Sequence, residues 1–228
     1  MPASETAEPK LQAVVFDLDG LMFNTEDLYQ DVGTEILRRR GKPFPVELLQ
    51  QMMGRPPRVS LQMMIDWHSL DATVEQLALE TEEVFEGILD ARLEFMPGLA
   101  RLLSALETAG IPKAIATSSG PRFVSNVLRR FELAPRFHFI LTCEDIVEGK
   151  PNPEIYLKAA SRFALEPASV LVLEDSQNGC RAAVAAGAYA VAVPAGHSRQ
   201  HDFTGARFIA DTLADERIYA VLGMRDEG

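Results

Sequence analysis

The sequence predicts an α/β protein with a parallel sheet, helices on both faces of that sheet, and a small all-helical cap domain. Short apolar runs rich in Val, Ile, Leu or Ala alternate with amphipathic helical stretches, which is typical of strands that are covered on both sides. Each run has about the length of a strand. The runs lie at Gln12–Asp17, Lys113–Ser118, Phe137–Thr142, Ser169–Glu174 and Tyr189–Val193.

One long segment interrupts this alternation. From about Met22 to Leu93 no strand-like run occurs, and the helical patterns there are Glu26–Arg40, Val46–Met53, Arg58–His68 and Thr73–Leu89. An insertion of that length after the first strand is far longer than a simple crossover. The predicted organisation is therefore a tail at residues 1–10, a core formed by 11–21 and 94–228, and a helical cap at 22–93.

The helices between the later strands have recognisable ends. Pro97 and Gly98 precede a predicted helix that runs to Ala109, where Gly110 ends it. Pro153 starts the next predicted helix at Glu154–Phe163, and Asn178-Gly179 leads into the last one at Cys180–Ala186.

Composition excludes several classes of function. The net charge of −11 disfavours binding to nucleic acid or to an anionic membrane. No apolar run approaches the roughly 18 to 20 residues of a membrane span, and the opening MPASETAEPK lacks a secretory signal. Cys143 and Cys180 have no metal-site spacing, so we expect two unpaired, buried thiols in a cytoplasmic protein. With no long exposed apolar stripe, we expect a monomer.

Polar residues collect where the predicted strands end. Asp17 and Asp19 follow the first strand, and two like charges so close together require a neutralising partner. Ligands of an open parallel sheet bind beyond the carboxyl ends of its strands, where Thr117, Lys150 and Glu174-Asp175 also lie. Four carboxylates around one lysine predict a divalent cation with oxygen ligands, and Mg²⁺ fits best. Such an ion, with a threonine and a lysine, could hold a phosphoryl group.

Four motifs give the chain a family resemblance. They are FDLDG at Phe16–Gly20, ATSS at Ala116–Ser119, GKPNPEIY at Gly149–Tyr156 and LEDSQNG at Leu173–Gly179. In this order, the chain resembles the haloacid dehalogenase superfamily of phosphotransferases, in the branch with a helical cap that contains β-phosphoglucomutase-like and pseudouridine-5′-phosphatase-like proteins. The resemblance implies a Rossmann-like core and a phosphatase that hydrolyses a small phosphorylated metabolite, either a sugar phosphate or a nucleotide-like monoester, through an aspartyl-phosphate.

The resemblance also implies roles for individual residues. Asp17 would be the nucleophile, and Asp19 the general acid and then the base that activates water. Thr117 would bind the phosphoryl group and Lys150 would stabilise its charge. Mg²⁺ would be held by Asp17, the backbone carbonyl of Asp19 and Asp175, with Glu174 acting through the outer shell or water. The predicted phosphate-binding and substrate-binding set is Asp17, Gly20, Thr117, Ser118, Lys150 and Arg55.

Each of these residues also has a structural explanation. The Asp17–Asp19 pair could form a turn, Lys150 could be a surface lysine, and Glu174-Asp175 could cap a helix. Thr117 is expected to cap a helix in addition to its catalytic role. Arg55 could contact the leaving group or close the cap, and a solvated arginine is the alternative.

Other functions remain open. A phosphosugar mutase of the β-phosphoglucomutase type would carry a histidine at Tyr29 and an arginine at Pro57, and both are absent here. Asn24 also departs from the aspartate of most relatives. A non-catalytic metabolite-binding protein with the same fold is a further alternative. A response-regulator receiver would be shorter and uncapped, and a true dehalogenase would need neither Asp19 nor magnesium.

Overall fold

The computed structural model describes residues 10–52 and 57–224. Within these ranges the strands are β1 (Ala13–Phe16), β2 (Lys113–Ala116), β3 (Ile140–Leu141), β4 (Val170–Glu174), β5 (Tyr189–Ala192) and β6 (Phe208–Ile209). The helices are α1 (Thr25–Arg38), α2 (Val46–Met52), α3 (Pro57–His68), α4 (Val74–Arg92), α5 (Leu99–Thr108), α6 (Pro121–Arg129), α7 (Glu154–Arg162), α8 (Gln177–Ala185) and α9 (Glu216–Val221).

The strands form one parallel sheet in the order β3-β2-β1-β4-β5-β6. The chain starts at the centre with β1, adds strands on one side, and then crosses to the other side at β4. Because parallel crossovers are right-handed, this reversal places helices on both faces of the sheet. The predicted fold class is confirmed.

Alternating side chains of the central strand cover the two faces. Val15 packs in a fully buried cluster with Ile155 of α7 and Ala182 of α8. The next residue, Phe16, lies edge-on to Phe137, with 6.1 Å between ring centroids. The strands are therefore apolar on both sides, as the continuous apolar runs predicted.

The chain divides into two compact units, Met1–Asn24 with Phe95–Gly228, and Thr25–Glu94. In the first unit, Phe23 and Phe95 lie 5.6 Å apart at the points where the chain leaves and re-enters it, and Phe131 contacts both rings. The backbone N–H of Met96 donates to the carbonyl of Met22 at 2.9 Å. The two ends of the inserted segment are thus joined within the first unit.

The second unit consists of α1 to α4. Helix α4 begins with a capping box in which Thr73 and Gln76 satisfy each other's backbone N–H groups. Tyr29 of α1 stacks on Phe85 of α4 at 4.6 Å, and Arg40 makes two hydrogen bonds to Glu80. The sequence predicts a helical cap at residues 22–93, and this unit spans Thr25–Glu94. That the unit acts as a cap stays a prediction.

Several local predictions differ from the structure. Strand β6 and helices α6 and α9 have no counterpart among the predicted elements. Strand β6 has two residues and α9 only six, which is too few for a clear period, whereas α6 has nine. Asn178 and Gly179 lie inside α8 and do not precede it, since Ser176 is the N-cap. Cys180 is buried, but Cys143 is exposed, so only one thiol is buried as expected. Among the described residues, no helix is both long and apolar enough to cross a bilayer.

Candidate active site

The register of the sheet brings the predicted site residues to one edge. Phe16 of β1 lies beside Ile115 of β2 and Leu173 of β4. The residues that follow these three positions are Asp17, Ala116 with Thr117, and Glu174 with Asp175. A nucleophile candidate therefore lies between a hydroxyl on one neighbouring strand and two carboxylates on the other.

Lys150 is the cation at the centre of this group. Its side chain is only 5% exposed, and its ammonium donates to Asp17 Oδ1 at 2.5 Å, to Glu174 Oε1 at 2.7 Å and to the Ala116 carbonyl at 3.0 Å. All three N–H bonds of the ammonium have an acceptor. The interpretation of Lys150 as a surface lysine is wrong, because its charge is buried between two carboxylates.

Glu174 is fully buried and accepts hydrogen bonds on both carboxylate oxygens. Oε1 accepts from Lys150 and from the hydroxyl of Tyr156 at 2.5 Å. Oε2 accepts from the backbone N–H and the hydroxyl of Ser176 at 3.3 and 3.0 Å. Ser176, and neither Glu174 nor Asp175, caps α8. The chain itself thus supplies the hydrogen bonds that orient Glu174.

Gly179 makes room for this carboxylate. A Cβ at position 179 would lie 1.8 to 2.1 Å from the carboxylate atoms of Glu174, far closer than van der Waals contact permits. Position 179 therefore requires a residue without a Cβ, because the first turn of α8 lies directly against the Glu174 carboxylate.

The pKa values follow from burial and from these partners. The pKa of Asp17 is raised to about 8, chiefly by burial. The positive charge of Lys150 lowers this pKa, and the negative charges of Glu174 and Asp19 raise it further. Burial by itself would lower the pKa of Lys150, but attraction to Asp17 and Glu174 raises it above its ordinary value. Burial also raises the pKa of Tyr156, with the Glu174 charge adding to it, so its hydroxyl remains a donor. A further positive charge near Asp17 would favour its ionised, nucleophilic form.

Asp19 has different partners from Asp17. Its Oδ2 accepts from the hydroxyl of Ser119 at 2.5 Å and from the hydroxyl of Thr117 at 3.4 Å. Immediately after it, Gly20 adopts a left-handed conformation with φ of 73°, and its N–H donates to the carbonyl of Phe23. This tight turn suits glycine, which has no Cβ to clash at positive φ.

Thr117 does not cap a helix, contrary to the sequence prediction. The N-cap of α6 is Gly120, which makes no side-chain capping bond. The Thr117 hydroxyl accepts from the backbone N–H of Ser119 at 3.0 Å, within the turn between β2 and α6. The hydroxyl therefore stays at the strand end and beside Asp19.

Three buried carboxylates could hold a metal ion. Asp17, Glu174 and Asp175 each offer an oxygen, and these oxygens lie within 4.8 Å of one another. Oxygen ligands of this charge suit a hard divalent cation, so the donor set fits. The side-chain oxygens of Asp19 are not in this group, and the prediction that its backbone carbonyl ligates the ion stays a prediction.

The structure brings together most of the predicted site residues. Those near one another at the sheet edge are Asp17, Asp19, Thr117, Lys150, Glu174 and Asp175. Gly20 forms the adjoining turn, Ser118 is exposed, and Arg55 lies outside the described residues. Their catalytic, phosphate-binding and metal-binding roles stay predictions.

Sequence reasoning missed four residues of this network: Ser119, Tyr156, Ser176 and Gly179. All four lie inside the motifs at Ala116–Ser119, Gly149–Tyr156 and Leu173–Gly179. The motifs indicate that the segments containing these four residues belong to the site. They did not show which side chain points at which carboxylate.

The chain is similar to proteins that are already known. Residues 14–193 match the family model described as haloacid dehalogenase-like hydrolase. The chain is 36% identical over 212 residues to the Drosophila melanogaster protein named "Probable pseudouridine-5′-phosphatase", covering 90% of this chain and 91% of that one. It is 32% identical to the phosphorylated carbohydrates phosphatase of Thermotoga maritima, with 78% and 82% of the two chains covered.

A similar solved structure is that of CbbY from Rhodobacter sphaeroides in complex with phosphate. The TM-score is 0.77 and the sequence identity 25%, over 90% of this chain and 96% of that chain. The covered 90% of this chain includes residues of both compact units.

Proposed function

The chain belongs to the haloacid dehalogenase-like hydrolase family, and from that premise we propose that it is a Mg²⁺-dependent phosphatase of a small phosphorylated metabolite. The family, together with relatives named as phosphatases, gives the reaction class: the chain is a phosphoric monoester hydrolase. The proposal adds the metal, the roles of the residues and the substrate class. Sugar phosphates and nucleotide-like monoesters are the candidate substrates, because the relatives carry the names of phosphatases for phosphorylated carbohydrates and for pseudouridine 5′-phosphate.

The observation that carries the proposal is the different environment of two neighbouring carboxylates. Asp17 is bonded to the buried ammonium of Lys150, whereas Asp19 is bonded to the hydroxyls of Thr117 and Ser119. Carboxylates in different environments can act as nucleophile and as acid or base at the same pH. This division of roles is what a two-step phosphate transfer requires.

In the first step, an oxygen of Asp17 attacks phosphorus, and the bond between phosphorus and the ester oxygen breaks. Asp19 gives its proton to the departing alcohol. In the second step, Asp19 takes a proton from water, and the resulting hydroxide attacks phosphorus. The bond to Asp17 then breaks, which releases inorganic phosphate and restores both carboxyl groups.

The surrounding residues support both steps. Lys150, through its bond to Asp17, stabilises the negative charge on the nucleophile and on the phosphoryl oxygens. The hydroxyl of Thr117 can donate to the phosphoryl group from the end of β2. Asp17 and Asp175 would hold Mg²⁺, with Glu174 nearby, and the ion would supply positive charge that offsets carboxylate repulsion and polarises the phosphoryl group.

The test is a panel of phosphate esters assayed with Mg²⁺, with EDTA and with the variant Asp17→Asn. It contains pseudouridine 5′-phosphate, hexose 6-phosphates, phosphoglycolate, glycerol 3-phosphate and β-glucose 1-phosphate. We expect phosphate release that needs Mg²⁺ and is lost in Asp17→Asn. The control is Glu144→Gln, which removes an exposed carboxylate and should retain activity. Conversion of β-glucose 1-phosphate to the 6-phosphate without phosphate release would favour a mutase. No turnover of any ester would contradict the proposal.

A further inference from the structure

Tyr156 is a buried residue of the active-site network that the proposed steps do not use. It lies on α7, is 1% exposed, and packs in the core cluster with Val15 and Ala116. Its hydroxyl reaches out of this apolar cluster to Glu174 Oε1 at 2.5 Å. Tyr156 therefore links the packing of α7 to the charged end of β4.

Tyr156 is linked to the ammonium of Lys150 in two ways, once directly and once through Glu174. The ammonium lies 5.2 Å from the centroid of the Tyr156 ring, a distance at which the ring face attracts a cation. The same ammonium shares Glu174 Oε1 with the tyrosine hydroxyl. The Tyr156 ring thus faces the Lys150 ammonium, and the Tyr156 hydroxyl donates to Glu174, which is the second carboxylate bonded to Lys150.

This arrangement matters because Asp17 and Glu174 both accept hydrogen bonds from the same ammonium. The ammonium lies 2.5 Å from Asp17 Oδ1 and 2.7 Å from Glu174 Oε1. A hydrogen bond from Tyr156 to Oε1 lowers the electron density that this oxygen offers to Lys150 and fixes its position. Without that bond, Glu174 would hold the ammonium more strongly and could draw it away from Asp17.

We infer that Tyr156 is a positioning residue of the phosphatase reaction, which holds Glu174 and Lys150 so that the ammonium stays on the Asp17 carboxylate. The inference rests on the proposed function, since it assigns Lys150 to the stabilisation of Asp17 and of the phosphoryl group. Tyr156 lies in the core beneath this carboxylate edge and acts through Lys150. Its effect therefore belongs to the chemical step and not to substrate binding.

The first test is Tyr156→Phe, which removes the hydroxyl and keeps the ring. We expect kcat per folded molecule to fall about tenfold, as is typical when a hydrogen-bond partner of a catalytic group is removed, with KM changed less than twofold. The matched control is Tyr189→Phe, a buried tyrosine at the amino end of β5, for which kcat should not change. Circular dichroism and thermal melting give the folded fraction of each variant.

The second test is a double-mutant cycle with Glu174→Gln, which separates positioning from a loss of stability. If Tyr156 acts through Glu174, then adding Tyr156→Phe to Glu174→Gln should lower kcat by less than twofold further. Independent, multiplicative losses in the cycle would overturn the inference, and so would a Tyr156→Phe enzyme with unchanged kcat. An inactive wild-type protein would contradict the proposed function itself, a result that is distinct from both of these.

Discussion

Glu174 accepts hydrogen bonds from Lys150, Tyr156 and Ser176, residues that come from the loop before α7, from α7 itself and from the start of α8. A fully buried carboxylate is stable only when its hydrogen-bonding capacity is satisfied, because desolvation of an unpaired charge is costly. These three residues therefore fix the orientation of Glu174. Through Lys150, this orientation also fixes the partner of Asp17.

At the residue scale, the variant Gly179→Ala tests whether Glu174 needs the space that the missing Cβ of Gly179 leaves. The added Cβ would lie within about 2 Å of the carboxylate, so Glu174 or α8 must move. We expect kcat to fall about 100-fold, because displacements near 1 Å in a catalytic group have costs of this order. We also expect the free energy of unfolding to fall by about 1–3 kcal/mol. Enzyme assays and chemical denaturation measure these effects.

The matched control is Gly87→Ala in α4, where a Cβ would meet no atom within 4 Å. Alanine is favoured over glycine inside a helix, so we expect this variant to be more stable by roughly 0.5–1 kcal/mol. Full activity in Gly179→Ala would contradict the assignment of that glycine to carboxylate packing.

At the scale of secondary structure elements, an ion pair connects α5 to β2. The Lys113 ammonium, whose side chain is 3% exposed, lies 2.9 Å from Glu107 Oε1, and Arg136 also donates to this carboxylate. The hydrogen bond from Arg136, opposed by burial and reinforced by Lys113, lowers the pKa of Glu107 to about 2. A buried ammonium at the amino end of a strand thus has a partner on the neighbouring helix.

We expect Glu107→Gln to lower the free energy of unfolding at neutral pH by about 1–2 kcal/mol, since it leaves the Lys113 ammonium buried without its carboxylate. The folded-state pKa of Glu107 lies below its ordinary value of 4.5. The stabilisation is therefore complete above about pH 4.5 and is lost as the pH falls through about 2. The free energies of unfolding of Glu107→Gln and of the wild type, measured by chemical denaturation, should consequently converge as the pH is lowered towards 2.

Glu35→Gln is the control for this pH experiment. Glu35 also has its pKa lowered to about 2, by hydrogen bonds from Arg38 and Arg39, but both arginines are exposed, at the last residue of α1 and just after it. Exposed ion pairs contribute little to stability, so this variant should melt close to the wild type. An equal loss of stability in both variants would show that burial of Lys113 is not the cause.

At the scale of the whole molecule, the three metal-ligand candidates all lie in one compact unit. Asp17, Glu174 and Asp175 belong to the unit formed by Met1–Asn24 and Phe95–Gly228, and none comes from Thr25–Glu94. The unit itself is discontinuous in sequence, so its carboxylates meet only when the residues on either side of the insertion have folded together. Binding of a cation should therefore stabilise this unit.

We expect Mg²⁺ at ten times its dissociation constant to stabilise the wild type by about 1.4 kcal/mol, a rise in Tm of roughly 3–6 °C. Removal of the metal with EDTA should reverse the rise, and Asp175→Asn should abolish it. Glu144→Gln removes an exposed carboxylate and should keep the full shift. Differential scanning calorimetry measures the shift, with the dissociation constant taken from isothermal titration. A rise that persists in Asp175→Asn would place the ion elsewhere.

The elements differ in how well the sequence predicts them. The five predicted runs contain β1 to β5, because a strand covered on both faces needs a continuous apolar run. Helix α6 could also have been found, since Val124, Val127 and Leu128 have helical spacing after the N-terminal Pro121. Strand β6 could not, because two residues carry no periodicity and their strand conformation depends on pairing with β5.

By itself, the sequence predicted the fold class and six of the residues that meet at the sheet edge, namely Asp17, Asp19, Thr117, Lys150, Glu174 and Asp175. Apolar runs, helix ends and the four motifs are local features. They can be recognised from the order of the residues, because helices and strands bury their side chains with different periods. The tertiary structure alone decided which groups touch: Ser119 and not the neighbouring exposed Ser118 bonds to Asp19, and Tyr156 shares Glu174 with Lys150. Such contacts depend on sheet register and on the packing of helices far apart in the chain, and no local pattern encodes them.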